Sequence, residues 1–352
     1  MRRFAILLAF LLAALPGAAA TRAAHPASFA GRADVQDFVR EMAERHGLER
    51  AALEAAFRHA HPLPAVIKAI MPPADPGVRS WQAYRSRFVE PRRIAAGRAF
   101  MQRHAGTLAK AGARYGVPVE IIAAVIGVET IYGRHTGRFP TFAALATLAF
   151  DYPPRAELFR RELEELLLLA RDEGRSPLDY RGSYAGALGL PQFLPSSRRR
   201  FAVDFDDDGR IDLAASPADA IGSVANFLAE HGWERDAPIA MTVEVAGAGV
   251  QALVDEGIAP RRTPAKMSAA GVTLTATGAA GAPLPERPAA LVDLVTPGAP
   301  TEYRLAFRNF HVITRYNRSS FYAAAVMDLA AALSDQRVGR EPQAGDALAQ
   351  TR

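Results

Sequence analysis

Val125-Ile126-Gly127-Val128-Glu129-Thr130-Ile131-Tyr132-Gly133 places a single carboxylate inside an apolar helical run. Ile122, Val125 and Ile126 share a helix face with Glu129 within the two preceding turns. Their apolar surface would strip water from an ionised carboxylate and raise its pKa. That is the state a general acid needs near neutral pH. Two plainer readings stay open: a glutamate at a helix rim, or one paired with an arginine such as Arg134. Upstream, Val117-Pro118 reads as the helix opening, with Glu120 close behind the proline, and Gly133 reads as its stop.

The texture of the chain changes on either side of this helix. Residues 27–98 carry short amphipathic patterns, at 35–42 and 50–57, interrupted by prolines. Residues 99–237 form the expected core, with helical patterns at 156–171 and 218–231 and Gly232 as a stop. From 238 to 305 apolar and polar residues alternate, as in Met241-Thr242-Val243-Glu244-Val245 and Val272-Thr273-Leu274-Thr275-Ala276, which predicts a small β-rich insertion. Helix returns within 306–334, where 321–333 is apolar and alanine-rich, and the polar tail 335–352 is expected to be disordered. The class is mainly α, of the α+β kind.

Two loops carry candidate chemistry. Gly182-Ser183-Tyr184-Ala185-Gly186-Ala187-Leu188-Gly189-Leu190-Pro191-Gln192-Phe193-Leu194-Pro195 is too rich in glycine and proline for regular structure. Gly186 and Gly189 would let backbone approach a ligand, while Ser183 and Gln192 offer groups that both donate and accept, as a saccharide requires. A well-packed connector is the alternative. Asp204-Phe205-Asp206-Asp207-Asp208-Gly209-Arg210-Ile211-Asp212 then matches positions 1, 3, 5, 6, 7 and 9 of a calcium loop. Asp204, Asp206, Asp208, the Arg210 carbonyl and Asp212 would supply oxygens, but position 12 is Ala215, where a closing carboxylate is expected. Either a weakened Ca²⁺ site or a metal-free loop of the same shape fits.

At the N-terminus, Met1-Arg2-Arg3, an apolar stretch from Phe4 to Leu15 and Pro16-Gly17-Ala18-Ala19-Ala20 together read as an export signal over 1–20. No later segment approaches the about 20 apolar residues of a membrane span. The 352 residues contain no cysteine, so neither a disulfide nor a lipidated cysteine anchor is available, and a free periplasmic protein is expected. The formal charge of +5, lowered by two when Arg2 and Arg3 leave, is spread along the chain apart from Arg198-Arg199-Arg200. That pattern argues against nucleic acid as a partner. The histidine pair of His59-Ala60-His61 reads as a helix end, not a metal site.

Taken in order, Val128-Glu129-Thr130-Ile131-Tyr132-Gly133, the Ser183–Ser197 loop, the aspartate-rich loop and Asn309-Phe310-His311-Val312-Ile313-Thr314-Arg315-Tyr316-Asn317 resemble the B-type membrane-bound lytic murein transglycosylases, over about 33–333. The resemblance implies a lysozyme-like core with an additional helical region. It also implies non-hydrolytic cleavage of the β-1,4 bond between N-acetylmuramic acid and N-acetylglucosamine in peptidoglycan, forming 1,6-anhydro-muramoyl ends. Glu129 matches the single catalytic acid. Ser183, Gln192, Phe193, Tyr316, Asn317 and Tyr322 match the cleft, with Tyr84 and Arg155 as further candidates, although Tyr84 and Tyr322 read equally as core aromatics. Arg155 stands where the family tends to carry paired arginines, but its neighbour here is Pro154. No cofactor is needed for the chemistry, and a monomer acting on glycan strands is implied. A wall-binding scaffold with little turnover and a water-using lysozyme are the alternatives.

Overall fold

The computed structural model describes residues 28–72, 79–276 and 284–335. The export signal read at 1–20 and the tail beyond 335 lie outside the described residues. In chain order the helices are α1 (Ala33–His46), α2 (Arg50–His59), α3 (Pro64–Ile70), α4 (Trp81–Arg85), α5 (Pro91–Arg103), α6 (Ala105–Tyr115) and α7 (Val119–Thr130). Strand β1 (Phe139–Pro140) leads into α8 (Thr141–Asp151) and α9 (Ala156–Asp172), followed by β2 (Arg181–Gly182), α10 (Pro195–Phe201) and α11 (Pro217–Glu230). Then come β3 (Ala240–Ala246), α12 (Val250–Asp255), α13 (Pro264–Ala269), β4 (Thr273–Ala276), β5 (Ala290–Leu294), β6 (Glu302–Ala306), α14 (Arg308–Ile313) and α15 (Ser320–Ser334).

Contacts divide the chain into two units: residues up to Arg79 with Tyr132–His231, and Ser80–Ile131 with Gly232 onward. This differs from the boundaries read at 98 and 237. Composition marks changes of element type, whereas contacts follow buried faces.

In the first unit, α9 buries Phe159, Leu163, Leu166, Leu167 and Ala170, a stripe at helical spacing, against α8. Phe57 of α2 packs on Phe142 of α8 with ring centroids 4.9 Å apart, continuing the core outward through α1 to α3. Strands β1 and β2 pair antiparallel, Phe139 opposite Gly182 and Pro140 opposite Arg181, which leads the chain into Ser183. Glu162 on the buried side of α9 accepts from the Ser196 amide and hydroxyl at 3.0 and 2.7 Å. It thereby caps the first turn of α10, where Pro195 removes one amide and no local side chain caps.

In the second unit, α7 is apolar on every side because it is buried on nearly every side, packed against α5, α6 and α15. No single helix among the described residues is long and apolar enough to cross a membrane. The insertion is an antiparallel sheet of order β4-β3-β6-β5 with its own core of Val243, Leu253, Met267, Leu291, Leu305 and Phe307. Two of its strands match the alternating stretches seen in sequence; β5, β6 and the helices α12 and α13 were not anticipated. Ala240 pairs with Ala306, so the insertion leaves and re-enters through neighbouring strands. Its edge is tied down where the Trp81 amide donates to Val295 O at 2.8 Å and Arg304 bridges Glu302 and Asp328 at 2.7 and 2.8 Å.

Candidate active site

Helix α7 stops at Thr130, three residues before Gly133. Ile131 and Tyr132 both adopt left-handed backbone, φ 52° and 56°, and Gly133 follows at 89°. The stop read at the glycine therefore comes earlier, at a β-branched residue, which costs about 1–2 kcal/mol that the surroundings must offset. Glu129, in the last turn, is half-buried in a helix otherwise enclosed there. Its Oε1 accepts from the Tyr322 hydroxyl at 2.6 Å. Burial pushes the carboxyl up to about 7, only partly opposed by the phenol's hydrogen bond. Its partner is thus a phenol and not an arginine, and the desolvated reading of Glu129 is the one the geometry supports.

Tyr322 is positioned from the chain upward. Ser319 is the N-cap of α15 and its hydroxyl accepts from the Tyr322 amide at 3.3 Å, so the phenol leaves the first turn. Tyr316 stacks on Tyr322, centroids 6.5 Å apart and planes 17° apart. Burial and the Glu129 carboxylate raise both phenols well above their ordinary range, so both remain protonated donors. The segment before Tyr316 is fixed by Asn309, fully buried, whose amide donates to Glu234 O and Ala237 O at 2.8 and 3.2 Å and whose oxygen accepts from the Glu234 amide. Asn309 thus holds the frame of a motif whose Tyr316 feels the charge of Glu129. Asn317 is half-buried and its carbonyl accepts from the Ser319 amide at 2.7 Å. Tyr84 is a core aromatic: it is 6% exposed and packs on Phe88 and Phe321 at 5.0 and 5.6 Å. Residues Glu129, Tyr316, Tyr322 and Tyr84 are brought together within the second unit.

The loop candidates fall in the first unit. Ser183 closes its own turn, its hydroxyl accepting from the Ala187 amide at 3.0 Å. Leu188 and Phe193 exchange backbone bonds, N to O, at 2.7 and 3.1 Å, which makes 188–193 a tight hairpin with Gln192 left-handed at φ 53°. The Gln192 amide nitrogen donates to Gly189 O and Thr136 O at 2.8 and 3.1 Å. Its Oε1 is buried with no hydrogen-bond partner among the described residues. Two expectations need correction. Phe193 is not a wall of the loop but a core residue, fully buried with its ring 5.5 Å from Phe227. Gly186 and Gly189 are demanded by the protein's own packing: a Cβ there would meet Leu145 at 2.4 Å and Leu213 O at 2.3 Å, and both have positive φ. Arg155 lies over the Phe159 ring at 5.3 Å, and its charge is felt at the Tyr184 phenol.

The aspartate-rich loop is a compact turn, and the carboxylates it brings together are not the full set read from the spacing. Asp204 accepts from the Asp208 and Gly209 amides, and Asp208 from the Arg210 amide. Asp212 accepts from the amides of Ala214 and Ala215. The carboxylate oxygens that converge, within 4.8 Å of one another, belong to Asp204, Asp206 and Asp219. Asp219, in the first turn of α11, lies four residues beyond the vacant position 12 at Ala215 and is 1% exposed. It also accepts from the Phe205 and Asp212 amides at 2.8 and 2.7 Å. Asp208 and Asp212 are not part of the converging group. An acid after Ser216-Pro217 reads in sequence as an ordinary first-turn residue, which is why Asp219 was missed.

A half-buried acid with its carboxyl poised near neutrality at the end of a short apolar helix, in a mainly helical α+β fold, has the make-up of a general-acid enzyme. The chain belongs to the transglycosylase SLT domain family, whose pattern it matches over residues 30–331. It is 38% identical over 319 residues to the membrane-bound lytic murein transglycosylase B of Escherichia coli, covering 88% of this chain and 85% of that one. Its structure is similar to that of the soluble lytic transglycosylase SltB1 of Pseudomonas aeruginosa, at 42% identity and TM-score 0.78, over 85% of this chain and 98% of that one. It is also similar to the Escherichia coli lytic transglycosylase Slt35 in complex with calcium, at 38% identity and TM-score 0.74, over 89% and 96% of the two chains.

Proposed function

We propose that this enzyme cleaves the N-acetylmuramic acid to N-acetylglucosamine β-1,4 bond of peptidoglycan without water, with Glu129 as acid and then base. The observation that carries the reading is the Glu129 carboxyl, pushed to about 7 by burial and held by Tyr322. With Oε1 occupied by the phenol, the acid proton resides on Oε2 and is available to the glycosidic oxygen. Proton donation breaks the bond to the anomeric carbon, with the substrate's acetamido oxygen taking the place of a nucleophilic carboxylate. The Glu129 carboxylate then takes the proton of the 6-hydroxyl, whose oxygen bonds to the anomeric carbon as the acetamido oxygen leaves it, giving the 1,6-anhydro ring and restoring the acetamide. Tyr322 holds the carboxylate between these steps, with the Tyr316 ring stacked on the phenol.

Ser183 and Gln192 serve as saccharide contacts of the first unit, since the orphan Gln192 Oε1 calls for a donor such as an acetamido N–H or a hydroxyl. Asn317 and Arg155 remain candidates for the outer parts of the substrate. Ca²⁺ fits the converging Asp204, Asp206 and Asp219; Asp208, Asp212 and the Arg210 carbonyl are assigned to it by the loop pattern of the sequence alone. Bound there it would neutralise clustered carboxylates and brace the loop against α11. The leader pattern at 1–20 supports a periplasmic enzyme, acting as a free monomer.

The test is mass spectrometry of fragments released from purified peptidoglycan by the mature enzyme and by Glu129→Gln. Anhydro-muramoyl ends from the wild type alone are expected. Reducing ends would make it a hydrolase, and binding without release would make it a scaffold.

A further inference from the structure

The acid sits at the end of a helix whose last turn has three ties. Thr130 Oγ1 donates to Ile126 O at 3.2 Å, and the Ile131 amide donates to Gly127 O at 3.1 Å. The third comes from another helix: Arg93 Nη1 donates to Gly127 O at 2.9 Å and reaches Val128 O at 3.4 Å. These are the two peptide carbonyls immediately preceding Glu129. Arg93 is 8% exposed, and its side chain passes over the Phe88 ring at 5.1 Å, which packs in turn on Tyr84. Its backbone is fixed as well, since Glu90, the N-cap of α5, accepts from the Arg93 amide at 2.6 Å. A guanidinium at a helix C-terminus meets the negative end of the helix, and here it adds a second donor to Gly127 O beside the Ile131 amide.

We infer that Arg93 is a positioning residue for the acid, clamping the last turn of α7 so that the Glu129 carboxyl stays on Tyr322. The inference rests on Glu129 being the catalytic acid. Two successive left-handed residues, neither of them glycine, follow directly, and such backbone persists only where the surroundings hold it. Without the clamp the turn relaxes and the carboxyl moves from its partner. A carboxyl displaced by about 1 Å loses roughly 10- to 100-fold in turnover. The positive charge also offsets the helix end beside the acid, so its removal shifts the pH at which activity falls upward.

The experiment compares Arg93→Met, Arg93→Gln and Arg93→Lys with wild type and Glu129→Gln on soluble glycan-strand fragments. Folded fraction is measured by circular dichroism, and kcat is expressed per folded molecule. Arg93→Met is expected to lower kcat by about 10- to 100-fold with KM within about 3-fold, and to move the falling limb of the pH profile upward. Arg93→Lys, which keeps charge and a donor, restores most of kcat and the limb; Arg93→Gln restores kcat in part and leaves the limb displaced. Should Arg93→Met not fold, the Lys and Gln variants decide by the same two readouts. Wild-type kcat per folded molecule with an unmoved limb, alongside an inactive Glu129→Gln, overturns the role of Arg93 alone. An active Glu129→Gln overturns the catalytic assignment beneath it.

Discussion

Glu129 combines two properties that usually oppose one another: part of its surface is accessible, while its carboxyl is enclosed enough to hold a proton up to about pH 7. Activity therefore requires the protonated form and should fall as pH rises through about 7, with a slope of one proton in kcat/KM. The same shift acts on stability. A carboxyl whose folded pKa is raised favours folding most at low pH, and that contribution is lost as pH rises from 4.5 through about 7. Glu129→Gln, which carries no charge, should thus be more stable than wild type at pH 9 by about 3 kcal/mol and nearly equal at pH 4. Thermal unfolding at the two pH values measures this, and a difference independent of pH would contradict the desolvated acid. Ser183→Ala and Gln192→Ala should each weaken turnover by about 1–3 kcal/mol of transition-state binding, read as kcat/KM on glycan fragments. The acid itself was legible because an unpaired carboxylate in an apolar run conflicts with everything around it. Tyr322 was legible only by family resemblance, since its contact with Glu129 spans 193 positions of sequence. Phe193 was misread because an aromatic beside a polar loop looks the same whether it faces a sugar or the core.

Elements carry the next level of constraint. Gly189 lies where the hairpin 188–193 presses on the Leu213 carbonyl, so Gly189→Ala must displace one or the other. A loss of about 1–3 kcal/mol in unfolding free energy is expected, with kcat/KM falling through the shifted Gln192. A fully stable variant would show that the hairpin has slack. Asp219→Asn leaves the fold of α11 capped by Ser216 but removes a carboxylate from the converging group. Calorimetry should show Ca²⁺ binding to wild type and binding at least about 10-fold weaker in the variant. Equal heats would exclude Asp219 as a ligand. Secondary structure was the most legible level: α9 and α15 lie within a residue or two of their apolar patterns. The end of α7 was not, because left-handed Ile131 and Tyr132 follow a turn that also carries long-range bonds, such as Arg93 to Gly127 O, which periodicity does not contain.

For the whole molecule, the sequence pattern marks where helix changes to strand but not which segments share a core; hence the two units divide the chain at 131–132 rather than at a change of texture. The leader pattern at 1–20 predicts export, so osmotic shock of expressing cells should release the enzyme; full retention within the cells would contradict this. The pairing of Ala240 with Ala306 has a separate consequence for how such a chain can change over time. Because the Phe307 amide donates to Ile239 O at 3.0 Å, the insertion begins and ends at one hydrogen-bonded rung. Between those residues, the parts away from Val295 and Arg304, which bond Trp81 and Asp328, can lengthen or shorten without altering the distance the rest of the chain must span. The sheet is thus a graft with a closed seam: a place where a lineage, or an engineer, can add to or trim a module while the Val295 and Arg304 ties, and with them the frame of the helix bearing the acid, are kept.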